Sequence, residues 1–191
     1  MSLVTAFRHV VVALDAAAID YVVVGSAAAA AWGVVRSTRD IDLVMVVTED
    51  SAQALVASLV GEDFYVPVNT ATEVLARGGA FNVLHPATGG KVDIFVCAAS
   101  DPFEVQRLAR RVRMEVFGVD SWVATPEDVV LSKLRWRLDS QSDVQWRDCV
   151  ELAAVCALDR EHLRTWSDRL GIASDLSALL EQVDGVGGAT S

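Results

Sequence analysis

Asp40 and Asp42 head an apolar run in the stretch Arg36-Ser37-Thr38-Arg39-Asp40-Ile41-Asp42-Leu43-Val44-Met45-Val46-Val47. Short runs of Val, Ile and Leu mark a strand covered on both faces, where acids are rarely buried without a partner. Side chains two apart in a strand project to the same face, so the two carboxylates point together and repel. A divalent cation resolves that conflict, because Mg²⁺ takes one or two carboxylates together with phosphate oxygens and water. Asp93, between Val92 and Ile94 in a second apolar run, offers a third acid in the same setting. Three such carboxylates could hold two metals in the arrangement suited to in-line phosphoryl or nucleotidyl displacement. The competing account is a strand end capped by acids and an unrelated surface Asp93.

A place for phosphates precedes the acids. Tyr21 to Val24 reads as a strand that stops at Gly25, and Ser26 opens an alanine-rich helix. The free N–H groups and positive dipole end of such a helix favour anions. Gly25 permits close backbone approach and the Ser26 hydroxyl adds a donor. Arg36 and Arg39 either steer a triphosphate or neutralise the acids. A phosphate on Thr38, two residues before Asp40, would set about two negative charges beside the cluster and block triphosphate entry, which makes Thr38 a candidate regulatory position.

Two further residues stand out by contrast with their surroundings. Val144, Asp148, Leu152 and Val155 fall at helical spacing, which places a carboxylate in an apolar stripe where it needs a cationic partner. Lys133 sits among Val129, Val130 and Trp136, and it is one of two lysines, with Lys91, against fourteen arginines. In a chain that so prefers Arg, a Lys suits a compact point charge on phosphate. An ion pair joining two helices through Lys133 and Asp148 explains the same pattern.

The elements that must position these groups alternate along the first two thirds of the chain. Periodicity predicts a helix to about Ala18, strand Tyr21 to Val24, a short helix, strand Ile41 to Val47, and a helix from Asp50 or Ser51 to Val60. A short strand near Phe64 to Val66 and an unassigned piece near Thr70 to Arg77 follow. Residues 80–86 and 91–98 form a hairpin across Ala87-Thr88-Gly89-Gly90. A helix from Pro102 to Leu108 and an edge pair, residues 111–118 with 120–124, complete a mixed layer. From Pro126 the signals are helical: Glu127 to Leu138, Asp143 to Ala157, Arg160 to Leu170 and Ala173 to Val183. Thr125 before Pro126 is a plausible cap. The class is α/β (α+β), with a core over 1–124, a helical region over 125–184, and a tail over 185–191 expected to be disordered.

The 191 residues are long enough for a core, and 52% are apolar. The longest apolar stretch is broken by Asp20 and a Gly-Ser turn, against a membrane span, and a cytoplasmic protein is expected. Cys97, Cys149 and Cys156 form no CxxC pair and are expected as buried thiols; His9, His85 and His162 are too scattered for zinc. A net charge of −10 argues against a generic polyanion-binding surface. Residues 107–114 and 133–138 are local basic patches, each expected to be a solvated face.

Residues 22–47 with Lys91 to Val96, residues 125–137 and residues 145–155 together resemble the AbiEii-type nucleotidyltransferase-fold family, which includes toxins of bacterial toxin–antitoxin pairs. The likeness runs roughly from Val22 to Leu158, and Arg-x-Thr-Arg-Asp-x-Asp is its most specific part. The resemblance implies a nucleotidyltransferase-like mixed sheet with flanking helices, followed by a C-terminal helical bundle. It implies that Gly25, Ser26 and Lys133 bind an NTP, and Arg39 is expected beside them as an NTP-binding residue. It places metal, Mg²⁺, on Asp40 and Asp42, with Asp93 as the third carboxylate of the wider superfamily, and Lys133 and Asp148 among the catalytic residues. Its implied acceptor is the 3′ end of tRNA and its implied partner a cognate antitoxin. The family often has Gly-Gly where this chain has Gly25-Ser26, so base preference does not transfer.

Overall fold

The computed structural model describes residues 2–36, 38–47 and 49–187. The chain forms two compact units, Met1–Ala27 with Ser37–Ala124 and Ala28–Arg36 with Thr125–Ser191.

The first unit is built on a six-stranded mixed sheet. Its strands are β1 (Tyr21–Val24), β2 (Ile41–Met45), β3 (Gly79–His85), β4 (Gly90–Val96), β5 (Val112–Val116) and β6 (Val119–Val123), in the order β3-β4-β2-β1-β6-β5. β2 runs parallel to β4 and antiparallel to β1, while β1 runs parallel to β6. The two hairpins, β3 with β4 and β5 with β6, end the sheet on either side. Helix α1 (Ser2–Ala16) packs on β3, β4 and β6, burying Phe7, Val10 and Leu14 completely. It stops short of the expected Ala18 because Ala18 takes a positive φ of 51°.

Two local expectations are corrected. No separate strand forms at Phe64 to Val66; Tyr65 makes an isolated antiparallel bridge to Leu84. The unassigned piece is helix α4 (Val68–Arg77), whose buried contacts are Ala71 and Leu75, four residues apart. β2 ends at Met45, and α3 (Glu49–Leu59) begins just before the expected start. β2 thus stops two residues short of the expected Val47. Helix α5 (Pro102–Arg110) carries a cap in which the Asp101 carboxylate accepts from the Phe103 and Glu104 N–H groups. Among the described residues, no helix is long and apolar enough to cross a membrane.

The second unit is helical: α6 (Pro126–Ser140), α7 (Asp143–Val155), α8 (Arg160–Leu170) and α9 (Ala173–Gly187). α6 packs on α7 and α8, and α9 packs on α7 and α8. The Thr125 hydroxyl accepts from the Asp128 N–H at 3.4 Å with Pro126 at the first helical position, as the sequence leads one to expect. The unit also takes in residues 28–36, including most of α2 (Gly25–Ala31). α9 continues to Gly187, so the first three residues of the expected tail are helical, and 188–191 lie outside the described residues. Cys149 is buried and Cys97 and Cys156 partly so, all as free thiols; burial pushes Cys149 up to about 12.

Candidate active site

In the first unit the sheet register brings acids from two separate stretches of sequence side by side. Asp42 on β2 is the direct partner of Asp93 on the parallel strand β4, and Val24 lies opposite Asp42 on β1. Paired positions on adjacent strands share a face about 4.8 Å apart, so the two carboxylates occupy one patch. Strand β4 alternates buried Val92, Ile94 and Val96 with half-buried Lys91, Asp93 and Phe95, which keeps the acid on the less covered face.

Gly25 meets this patch directly. Its φ is +63°, and a Cβ added there would stand 2.3 Å from the Asp42 Oδ2 and 3.2 Å from its Cγ. The space that any other residue would fill is therefore taken by the Asp42 carboxylate. Glycine is required twice over, for the left-handed backbone and for the approach of the acid. The Thr38 hydroxyl donates to the Asp40 carbonyl at 2.7 Å and fixes the entry to β2. Arg39 is exposed.

Lys91 lies between two of the acids. Its Nζ is 2.6 Å from Asp93 Oδ2 and 3.4 Å from Asp40 Oδ2. The hydrogen bond to Asp93 raises the ammonium above the ordinary lysine value, with the charges of Asp93 and Asp40 adding to it against partial desolvation. Lys91 thus pairs with two of the three carboxylates expected to hold metal. Among the described residues, no group of three or more His, Cys, Asp or Glu side chains is disposed to hold a metal ion. Asp40 and Asp42 still provide what one hard cation needs, since Mg²⁺ uses one or two carboxylates when phosphates and water complete its shell.

The remaining predicted residues gather in the second unit. The Lys133 Nζ donates to Asp148 Oδ2 at 2.7 Å and to Gln145 Oε1 at 2.9 Å. Arg36 forms an ion pair with the same Asp148 oxygen. Lys133 and Asp148 are 4% and 3% exposed while the Arg36 side chain is 31% exposed, so a buried ion pair is joined by a half-buried guanidinium, linking α6, α7 and the segment after α2. Arg36 thus neutralises an acid, but Asp148 rather than Asp40 or Asp42.

Most of the basic side chains in the two patches are held by acids, although Arg135 is exposed. Arg107 pairs with Glu104, Arg111 with Asp20, Arg113 with Asp15 and Asp120, and Arg137 with Asp175. Arg111 and Arg113 also lie 4.8 and 5.2 Å from the Trp122 ring centroid, and Arg137 lies 5.0 Å from that of Trp146.

Sequence reasoning passed over Lys91 as a site residue. Two signals pointed to it: its place two residues before Asp93 on one strand, hence on the same face, and the scarcity of lysine. Both lysines of the chain end on acids from the predicted site.

Residues 2–172 match the family described as "Nucleotidyltransferase of unknown function (DUF6036)". No curated protein matches the chain. Among solved structures, a nucleotidyltransferase-like antigenic protein from Paracoccidioides brasiliensis is similar at 22% identity and a TM-score of 0.56, covering 92% of this chain and 91% of that one. The antibiotic-resistance factor ANT(2'')-Ia is similar at 14% identity and a TM-score of 0.50, with 97% of each chain covered. These likenesses show a shared fold. The family match supports the resemblance at the level of nucleotidyltransferases and does not single out the AbiEii type.

Proposed function

Since the chain belongs to the DUF6036 family of nucleotidyltransferases of unknown function, we propose that it transfers a nucleoside monophosphate from an NTP to an acceptor hydroxyl. The new bond joins the acceptor oxygen to the α-phosphorus, the α–β bridging bond breaks, and pyrophosphate leaves with the electron pair. The observation that carries this reading is the Asp42 carboxylate, register-paired with Asp93 and seated over Gly25. Asp40 and Asp42 would hold Mg²⁺, which when bound draws phosphate oxygens together and offsets their charge. The Gly25-Ser26 turn would receive the phosphates and Arg39 would add charge at the exposed rim. Asp93 is the candidate to take the acceptor's proton. Positioning and charge neutralisation would supply most of the catalysis, as in phosphoryl transfer generally.

Lys133 and Asp148 carry two competing roles. The resemblance gives them to triphosphate binding and catalysis. The ion cluster with Arg36 and Gln145 gives them the joining of helices, and their burial favours the second. Phosphorylation of Thr38 would break its bond to the Asp40 carbonyl and bring negative charge to the acids. A Thr38→Glu protein with full activity and full NTP binding would count against that control.

For the acceptor, the resemblance offers the tRNA 3′ end, with the chain as a toxin held by an antitoxin protein. The internal pairing of the arginines favours a small-molecule hydroxyl instead, because it leaves the basic patches with little charge to spend on a phosphate backbone. The test incubates the protein with each α-labelled NTP and Mg²⁺, in parallel with total tRNA, a protein lysate and a panel of polyhydroxylated small molecules. Label is expected on a small molecule, with a loss of about 100-fold or more in Asp42→Asn, the scale for removing a group that acts on transition-state charge. Mg²⁺-dependent NTP binding without any product would point to a silent binding module acting through a protein partner. Neither transfer nor NTP binding would overturn the enzymatic reading.

A further inference from the structure

We propose that the Lys91 ammonium stands in the place of a second metal, so that this site takes a single divalent ion, on Asp40 and Asp42, and holds Asp93 with an internal charge. The inference rests on the metal assignment made above and deepens it. Its basis is geometric. In two-metal sites the ions sit about 3.5–4 Å apart and share carboxylates from neighbouring strands. Here Asp40, one residue before β2, and Asp93 on β4 already share a cation, because Lys91 reaches Asp93 at 2.6 Å and Asp40 at 3.4 Å from the same atom. The contact is built into the sheet: Lys91 and Asp93 are two apart on β4, on one face, and Asp93 is register-locked beside Asp42.

A Mg²⁺ ion bridging Asp40 and Asp93 would need oxygens at about 2.0–2.1 Å, inside the volume that the ammonium occupies. It would also face a like charge at contact distance. A metal on Asp40 and Asp42 would not need the Asp93 oxygen that the ammonium holds, and Asp40 meets the lysine through Oδ2 at the longer of the two distances. The lysine thus sets the cation count by charge and by occupancy. Arginine in its place would carry the charge in a broader, planar group. A neutral residue would take the ammonium away from Asp40 and Asp93.

The experiment counts bound Mn²⁺ by electron paramagnetic resonance in the full chain, using Mn²⁺ alone as the probe, for the wild type, Lys91→Met, Lys91→Arg and Asp42→Asn. The inference expects one ion per chain in the wild type, two in Lys91→Met, one again in Lys91→Arg, and none in Asp42→Asn. Restoration by arginine separates a role of charge from a loss of packing. Lys91→Gln replaces the Met variant should the latter lose its melting transition. Two ions in the wild type, or one ion in both the wild type and the neutral variants, would overturn the inference and leave the metal assignment standing. No ion in any protein would overturn the metal assignment itself, and the inference with it.

Discussion

At the scale of single residues, the pairing of Gly25 with Asp42 gives the sharpest prediction. Alanine at a left-handed position costs about 1–2 kcal/mol. Gly25→Ala adds a Cβ at 2.3 Å from the Asp42 oxygen, so the carboxylate must swing out of its place. Gly89, in the turn between β3 and β4, has a φ of +69° and nothing within 4 Å of an added Cβ. The two substitutions therefore share the backbone strain and differ in the acid. Each should lower the melting temperature by a few degrees, about 2–4 °C per kcal/mol for a chain of this size. Gly25→Ala alone should also abolish Mn²⁺ and NTP binding. Equal binding by the two variants would detach Asp42 from the site. The acids and the glycine were legible from sequence because like charges on one strand face demand an explanation. Lys91 was legible only as a scarce lysine on the face of Asp93, because its contact with Asp40 depends on which strand lies beside β4.

At the scale of elements, the strands and long helices were legible from periodicity because their apolar stripes are long. The weak elements were those whose pattern is short or whose partner is distant. α4 buries only Ala71 and Leu75, and Tyr65 is ordered by Leu84, nineteen positions away. The membership of residues 28–36 in the helical unit was illegible for the same reason, as it comes from packing and not from chain order. The joint between α6 and α7 tests the role of Lys133 and Asp148. Removing one partner of a buried pair leaves an uncompensated charge and costs about 3–5 kcal/mol, whereas replacing both by apolar residues is often neutral or better. Asp148→Ala strands both Lys133 and Arg36 and should destabilise strongly in a urea melt. Lys133→Met with Asp148→Leu still strands Arg36, so a third change, Arg36→Met, completes the set. The triple variant should recover most of the lost stability. If it recovers stability and NTP binding together, the cluster is structural. If it recovers stability while NTP affinity stays lost, Lys133 serves the triphosphate as the resemblance implies.

At the scale of the whole molecule, the net charge of −10 and the placement of the arginines decide what kind of acceptor the chain can approach. Nonspecific nucleic-acid affinity comes from phosphates neutralised by Lys and Arg, and its signature is salt dependence. A chain with a surplus of acids can still bind RNA through a local basic face, and residues 107–114 are where the sequence offers one. The structure pairs Arg107, Arg111 and Arg113 with Glu104, Asp20, Asp15 and Asp120, with Trp122 close to two of them. To contact a phosphate backbone, each would have to give up a carboxylate partner, and the released acid would then repel the RNA. Fluorescence anisotropy with labelled total tRNA between about 50 and 200 mM salt reads this directly: a protein making 6–10 phosphate contacts loses about 10³–10⁵ in affinity over that range. This chain should bind weakly throughout and change by less than about tenfold, a slope of under about two released phosphate contacts. A steep slope with tight binding at low salt would mean that the arginines exchange their partners for phosphate, and would return the tRNA 3′ end to the head of the acceptors.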